Sequence, residues 1–160
     1  MKTLQILRHA KTEKQKIGQK DFDRELTTRG LGQMADLLLQ QRAHLEKVER
    51  ILVSPAKRTR MTFEQLKTPL DPAVVVFEEA LYLASFSELI QTIEKQEDSL
   101  ENMLVIGHNN GLSELVTYLT DDYHDLPTSA FIVLEMEINS WKHLTKGIAV
   151  LKTQYCSNFK

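Results

Sequence analysis

The chain has 160 residues, of which 42% are hydrophobic and 26% are charged, and its formal net charge is −2. This length suits one domain with a buried core, predicted over residues 1–160, and the composition is typical of a globular protein. The slightly negative charge argues against a nucleic-acid-binding protein, because such proteins usually carry a clustered positive surface.

The cysteine content and the N-terminal segment indicate a cytoplasmic protein. Cys156 is the single cysteine and cannot form an intramolecular disulfide, which suits a reducing compartment. The apolar N-terminal run is broken at Arg8, too early for the core of a signal peptide, and no run approaches the length of a membrane span. We therefore expect a soluble protein with no membrane association, and we predict a monomer.

The first predicted elements are a strand over residues 3–7 and a long helix. Thr27 or Thr28 can cap this helix, because the apolar residues that follow recur at helical spacing. These apolar residues are Leu31, Met34, Ala35, Leu38 and Leu39.

The middle of the chain predicts two further strands, over residues 51–53 and 74–77. Ser54 and Pro55 follow the first of them, and they predict a helix cap with proline at the first helical position. A helix is predicted over residues 87–97 from its apolar face.

The last part of the chain predicts a fourth strand over residues 103–106 and then a helix. Residues 131–138 and 148–152 are strand-like and predict a terminal hairpin. Alternation of strands and helices predicts an α/β fold with a mostly parallel central sheet, helices on both faces and an antiparallel edge.

Two histidines and two arginines follow three of the predicted strands. Arg8 and His9 end the first strand, Arg58 lies one turn into the helix after the second, and His108 follows the fourth. Because parallel strands present their carboxyl ends at one edge of the sheet, we expect these side chains to converge on one site.

Such a set suits phosphoryl transfer. Arginine binds phosphate oxygens in bidentate geometry and stays charged at any working pH. A neutral histidine can attack phosphorus, and positive neighbours favour its neutral form and stabilise the transition state. A helix N-terminus at Ser54 would add backbone donors for an anion. The set therefore predicts covalent phosphoryl transfer without a metal.

Other chemistries find less support in the sequence. It contains no phosphate loop ending in Gly-Lys-Ser/Thr, no Gly-x-Ser-x-Gly elbow and no His-Glu-x-x-His motif. The acidic run over residues 121–125 is interpreted as a polar turn rather than a metal loop. The lysine-rich run over residues 11–20 is either a solvated loop or a rim that attracts phosphate.

Six motifs follow one another with compatible spacing. They are Leu7-Arg8-His9-Ala10-Lys11, Asp23-Arg24-Glu25-Leu26-Thr27 with Arg29-Gly30, Ser54-Pro55-Ala56 with Arg58 and Thr62, Leu81-Tyr82 with Ala84-Ser85, Gly107-His108-Asn109 with Gly111-Leu112, and Pro127-Thr128-Ser129-Ala130. This ordered set resembles the histidine phosphatase superfamily, which includes phosphoglycerate mutase, and within it the small SixA-type phosphohistidine phosphatases.

The resemblance implies a three-layer, phosphoglycerate mutase-like α/β fold and no required cofactor. It implies that His9 accepts the phosphoryl group, while Arg8, Arg58 and His108 bind and stabilise it, with Asn109 as a further substrate-binding residue. Glu79 resembles the acidic proton donor of larger relatives, with Glu78 as its rival; both can also simply end a strand in solvent.

The substrate suggested by these features is protein phosphohistidine. A poorly defined acid disfavours alkoxide leaving groups but is tolerated with phosphohistidine, whose protonated imidazole leaves readily. The segment between the third strand and the next helix is short, which leaves little material for a lid over a small substrate. The alternatives are a phosphatase for sugar phosphates or nucleotides, and a phosphate-binding adaptor without catalysis.

Overall fold

The computed structural model describes residues 1–66, 69, 71 and 74–160. Within them the strands are β1 (Lys2–Arg8), β2 (Arg50–Val53), β3 (Val75–Phe77), β4 (Asn102–Gly107), β5 (Phe131–Met136) and β6 (Ala149–Tyr155). The α-helices are α1 (Thr28–Leu45), α2 (Lys57–Leu66), α3 (Phe86–Glu94) and α4 (Gly111–Thr120).

The strands form one sheet in the order β3-β2-β4-β1-β5-β6. The first four strands of the chain are parallel to one another, whereas β5 is antiparallel to β1 and β6 is antiparallel to β5. The prediction of a mostly parallel α/β sheet with an antiparallel edge is confirmed, and so is the terminal hairpin.

Helices cover both faces of the sheet and make three layers. Alternate residues of β1 point to opposite faces: Leu4 and Ile6 join a core with α3 and α4, and Leu7 joins a second core with α1 and α2. The central strands are therefore buried on both sides, which explains the apolar runs over residues 51–53 and 103–106. In β1 the apolar run is interrupted by Gln5, which is also buried.

Local sequence determines where α1 and α3 begin. Thr27 caps α1, because its side chain accepts a hydrogen bond from the Gly30 amide. Ser85 and Glu88 form a reciprocal capping box at the start of α3, which therefore begins at Phe86, one residue earlier than predicted. In the described part of the chain, every helix is too short or too polar to cross a membrane.

The start of α2 differs from the prediction. The helix begins at Lys57, not at Pro55, and the amide of Arg60 bonds to the carbonyl of Ala56. Ser54 follows β2 and does not cap the helix in the usual way, because its hydroxyl contacts a histidine described below.

Candidate active site

The pairing of β1 with β4 brings two histidines together at the centre of the sheet. Arg8 at the end of β1 is in register with Gly107 at the end of β4. His9 and His108 are therefore the first residues after the two strands. The amide of His9 donates to the carbonyl of Gly107 at 3.1 Å, and the two imidazole centroids are 5.3 Å apart.

His9 is buried and its tautomer is determined by a backbone contact. Its Nδ1 lies 2.8 Å from the carbonyl oxygen of Ala10; because a carbonyl only accepts, Nδ1 carries the proton. The lone pair is therefore on Nε2. Burial lowers the pKa of His9 to about 4, and the positive charges of Arg58 and Arg8 act in the same direction. The imidazole is neutral at physiological pH, as a nucleophile must be.

His108 is also neutral and is held between two side chains. Its Nε2 shares a 2.7 Å hydrogen bond with Oγ of Ser54, and the ring of Tyr82 stands perpendicular to it at a centroid distance of 5.7 Å. Burial lowers the pKa of His108 to about 3, helped by the charge of Arg58. Its Nδ1 is buried and has no hydrogen-bond partner within the described ranges.

Arg58 is only 3% exposed and is oriented by Asp21, which belongs to a short 3-10 turn before α1. Its Nη1 donates to the Asp21 carbonyl at 2.8 Å and its Nη2 donates to Oδ2 at 3.0 Å. The hydroxyl of Tyr82 donates to the same Oδ2 at 2.8 Å, and Nη1 of Arg24 donates to Oδ1 at 3.0 Å. The carboxylate of Asp21 thus fixes the guanidinium that faces the two histidines.

Arg8 is oriented from the other side of the site. Its Nη1 donates to the Leu126 carbonyl at 2.7 Å, and Nδ2 of Asn109 donates to the same oxygen at 3.0 Å. Burial lowers the pKa of Arg8, although the charge of Asp125 opposes this effect. The segment before β5 therefore connects the end of β1 with the start of α4.

These side chains surround a cavity of about 330 Å³. Its lining residues are Arg8, His9, Lys11, Thr12, Asp21, Arg24, Arg58, Leu83, His108, Asn109 and Thr128. Five of the six predicted site residues are among them. The sixth, Glu79, is exposed and lies outside the lining, as does Glu78.

Sequence reasoning missed Asp21 as a residue of the site. Burial alone would raise its pKa, but hydrogen bonds from Tyr82 and Arg24 and the charge of Arg58 lower the pKa of Asp21 to about 2. The second motif held the available signal. It resembles the pattern Asp-x-x-Arg-x-Leu-Thr of the histidine phosphatase superfamily, in which the aspartate stands three residues before the arginine, at Asp21 and not at Asp23.

The arrangement suits binding of a phosphoryl group next to a neutral nucleophile. Two guanidinium groups supply charge and fixed donors, and Nε2 of His9 carries the free lone pair. Across the described ranges there is no group of three or more histidine, cysteine, aspartate or glutamate side chains that could hold a metal ion.

Sequence comparisons agree with this geometry. A family model of the histidine phosphatase superfamily (branch 1) matches residues 4–88. Two proteins from strains of Mycobacterium tuberculosis, both described only as uncharacterized, are each 33% identical to the chain over 146 residues. The match covers 91% of this chain and 86% of each relative.

Solved structures share the fold. A protein of Agrobacterium tumefaciens, provisionally identified as the phosphohistidine phosphatase SixA, has a TM-score of 0.84 at 20% identity over 98% of both chains. The protein histidine phosphatase SixA complexed with tungstate has a TM-score of 0.80 at 21% identity over 96% of both chains. A phosphoserine phosphatase of Entamoeba histolytica has a TM-score of 0.63 at 17% identity over 99% of both chains.

Proposed function

The chain belongs to the histidine phosphatase superfamily, and on this premise we propose that it removes phosphate from protein phosphohistidine through a covalent intermediate on His9. Membership of this family supports a phosphatase that acts on a phosphorylated substrate. The observation that carries the proposal is a neutral imidazole with its lone pair on Nε2, beside two guanidinium groups that can bind the phosphoryl oxygens.

In the first step, Nε2 of His9 attacks phosphorus and the bond to the leaving group breaks on the opposite side. Arg8 and Arg58 hold the phosphoryl oxygens and stabilise the negative charge of the transition state. As Nε2 forms its bond to phosphorus, the imidazole becomes cationic. The Ala10 carbonyl, which accepts the Nδ1 proton at 2.8 Å, stabilises this cation.

In the second step, water attacks the phosphorus of phospho-His9 and the N–P bond breaks. The electron pair returns to Nε2, the neutral imidazole is regenerated and inorganic phosphate leaves. His108, which is neutral and lies 5.3 Å away between ring centroids, is the group we propose to contact the phosphoryl oxygens in both steps.

The carboxylate of Asp21, which lines the cavity, affects which leaving groups the site can accept. Among the lining residues Asp21 is the sole carboxylate, and its pKa of about 2 keeps it ionised, so it cannot protonate a leaving group. An alkoxide leaving group needs such a proton. The imidazole of phosphohistidine, when already protonated on its other ring nitrogen, takes the electron pair of the broken P–N bond and leaves as neutral imidazole. This difference supports phosphohistidine over sugar phosphates. The role of Glu79 as proton donor stays a prediction, as do the cytoplasmic location and the monomeric state.

A small-molecule phosphatase is the second candidate. The structural likeness to a phosphoserine phosphatase in complex with 3-phosphoglyceric acid supports this candidate. Its chemistry at His9 would be the same, and the two candidates differ in the leaving group.

The test compares hydrolysis of a histidine-phosphorylated protein with that of a panel of phosphomonoesters, with a chelator present throughout. We expect His9-dependent loss of phosphohistidine, slow ester turnover and an acid-labile phosphoenzyme that is absent in His9→Ala. The matched control is His143→Ala, which changes an exposed histidine that does not line the cavity and should keep full activity.

Three other outcomes would change this conclusion. Turnover that persists in His9→Ala would overturn the mechanism. A preference for esters would move the protein to small-molecule substrates with the same mechanism, and phosphate binding without any turnover would indicate an adaptor.

A further inference from the structure

The segment over residues 11–20, called here the basic loop, leaves the cavity immediately after His9 and Ala10. It contains four lysines and one glutamate, a net charge of +3 in a chain whose formal net charge is −2. The lysines are Lys11, Lys14, Lys16 and Lys20, and all four are exposed. Counter-charge within the loop is limited to Glu13, which lies 3.4 Å from Lys16.

The basic loop has a defined shape. At its tip the Gln19 amide donates to the Lys16 carbonyl at 3.1 Å, and the Lys16 amide donates to Oε1 of Gln19 at 3.0 Å. At its base Arg24 donates from Nε and Nη2 to the Glu13 carbonyl, at 3.0 and 2.8 Å. The loop is therefore a built turn attached to the active site, since the same Arg24 also contacts Asp21.

The tip carries an apolar side chain in open solvent. Ile17 is fully exposed, next to Lys16, and Gly18 beside it has a φ of +77° that closes the turn. A second exposed apolar side chain, Leu83, lines the cavity itself. An isolated exposed leucine or isoleucine is ordinary. Ile17 differs because it stands on an ordered, positively charged turn next to the cavity of the candidate active site.

We propose that the basic loop is a docking surface for the protein that carries the phosphoryl group, and that this partner presents acidic side chains and an apolar contact around its phosphohistidine. The lysines would attract and orient the acidic surface, and Ile17 would pack against the apolar contact. This inference rests on the proposed function, because it requires a phosphorylated protein as the substrate.

A docked protein and a small ligand would contact different residues, because the cavity includes only part of the basic loop. Lys11 and Thr12 are the residues of the basic loop that line the 330 Å³ cavity, whereas Lys14, Ile17 and Lys20 lie outside the lining. A ligand that fills the cavity alone would not contact these three residues. A protein surface around the phosphorylated side chain extends beyond the cavity and would contact them.

The experiment measures kcat and KM on two substrates that carry the same phosphorus–nitrogen bond to a histidine. One is an acidic phosphotransfer protein phosphorylated on histidine, and the other is free phosphohistidine. The variants are Lys14→Glu/Lys20→Glu and Ile17→Ser. The matched controls are Lys47→Glu/Lys95→Glu, with the same charge change at exposed positions outside the loop, and Leu39→Ser on the exposed surface of α1.

We expect the loop variants to raise KM for the phosphoprotein about tenfold, with kcat on free phosphohistidine unchanged and wild-type behaviour in both controls. Added salt should lower kcat/KM for the phosphoprotein more than for free phosphohistidine. In the lysine double variant, the effect of salt on kcat/KM for the phosphoprotein should be smaller than in the wild type. Equal kinetics for loop and control variants would overturn the docking surface alone. If the wild-type protein hydrolyses esters but not the phosphoprotein, the proposed substrate fails, and the docking surface fails with it.

Discussion

At the scale of single residues, the site keeps two adjacent histidines uncharged by burying them next to two guanidinium groups. His9 and His108 consequently have pKa values of about 4 and about 3. The arginines that bind an anionic phosphoryl group also favour the neutral, nucleophilic form of His9. The two requirements of the reaction, anion binding and a free lone pair, are therefore met by the same charges.

The hydrogen bond between Ser54 and His108 can be tested by substitution. Ser54→Ala leaves Nε2 of a fully buried imidazole without its 2.7 Å partner, and loss of such a contact costs about 1–3 kcal/mol. If that cost falls on the transition state, we expect kcat/KM to fall between roughly fivefold and 150-fold, because each tenfold change corresponds to about 1.4 kcal/mol. Nitrogen NMR of the His108 ring should show an altered tautomer equilibrium.

The control for this variant is Thr59→Val. Thr59 is buried at the start of α2 and donates to the carbonyls of Ser54 and Ala56, without contacting the histidine. We expect Thr59→Val to lower the free energy of unfolding and to leave the nitrogen NMR spectrum of the His108 ring unchanged. The positioning role of Ser54 is wrong if its alanine variant keeps the wild-type ring spectrum and activity.

At the scale of elements, strand positions could be predicted well because the buried parallel strands are short runs rich in apolar residues, interrupted in β1 only by Gln5. The predicted ranges 3–7, 51–53 and 103–106 lie within β1, β2 and β4. Helix starts were less predictable. Ser54 and Pro55 have the composition of a helix start, but the Ser54 hydroxyl bonds to His108, and this tertiary contact is not visible in local sequence.

The contact between α4 and the segment before α3 gives a second prediction. At Gly111 an added Cβ would lie 2.1 Å from the backbone oxygen of Ala84, which cannot rotate away. We expect Gly111→Ala to lower the free energy of unfolding by about 1–3 kcal/mol, measured by urea denaturation.

Gly107→Ala is the matched comparison for Gly111→Ala. Its added Cβ would lie 3.7 Å from side-chain atoms of Leu112, an ordinary contact, so we expect a change of less than about 1 kcal/mol. Equal destabilisation by the two substitutions would show that the close approach at Gly111 is not the cause.

At the scale of the whole molecule, the convergence of the site followed from topology. Arg8, His9, Arg58 and His108 could be predicted together because parallel strands end at one edge of a sheet. Asp21 could not be placed by this rule, since it belongs to a turn before α1 that no strand positions. The contact of its carboxylate with Arg58 depends on how that turn folds back over the sheet edge.

The depressed histidine pKa values predict acid sensitivity of the fold. Above pH 6.5 both histidines are neutral in the folded and unfolded states, and stability is fully present. As the pH falls from 6.5 towards 4 and 3, the unfolded chain binds protons that the folded chain excludes, so stability is lost in this window. For His9 the loss is on the order of 3 kcal/mol.

Urea denaturation between pH 3.5 and 7 measures this effect. His9→Asn/His108→Asn should flatten the pH dependence of the free energy of unfolding, whereas the exposed-site control His143→Asn should keep the wild-type slope. An unchanged slope in the double variant would mean that other groups cause the acid sensitivity.

The place of β1 and β4 at the middle of the sheet has a consequence for inactivation. His9 and His108 extend from the two central strands, where the chain is buried on both faces and joined in register. The two imidazoles therefore lose their relative position only when the sheet itself unfolds. We expect heat inactivation to follow loss of the sheet, so that residual activity after heating tracks the fraction of molecules that are still folded. Activity lost before the sheet unfolds would point instead to the turn at Asp21, which orients Arg58.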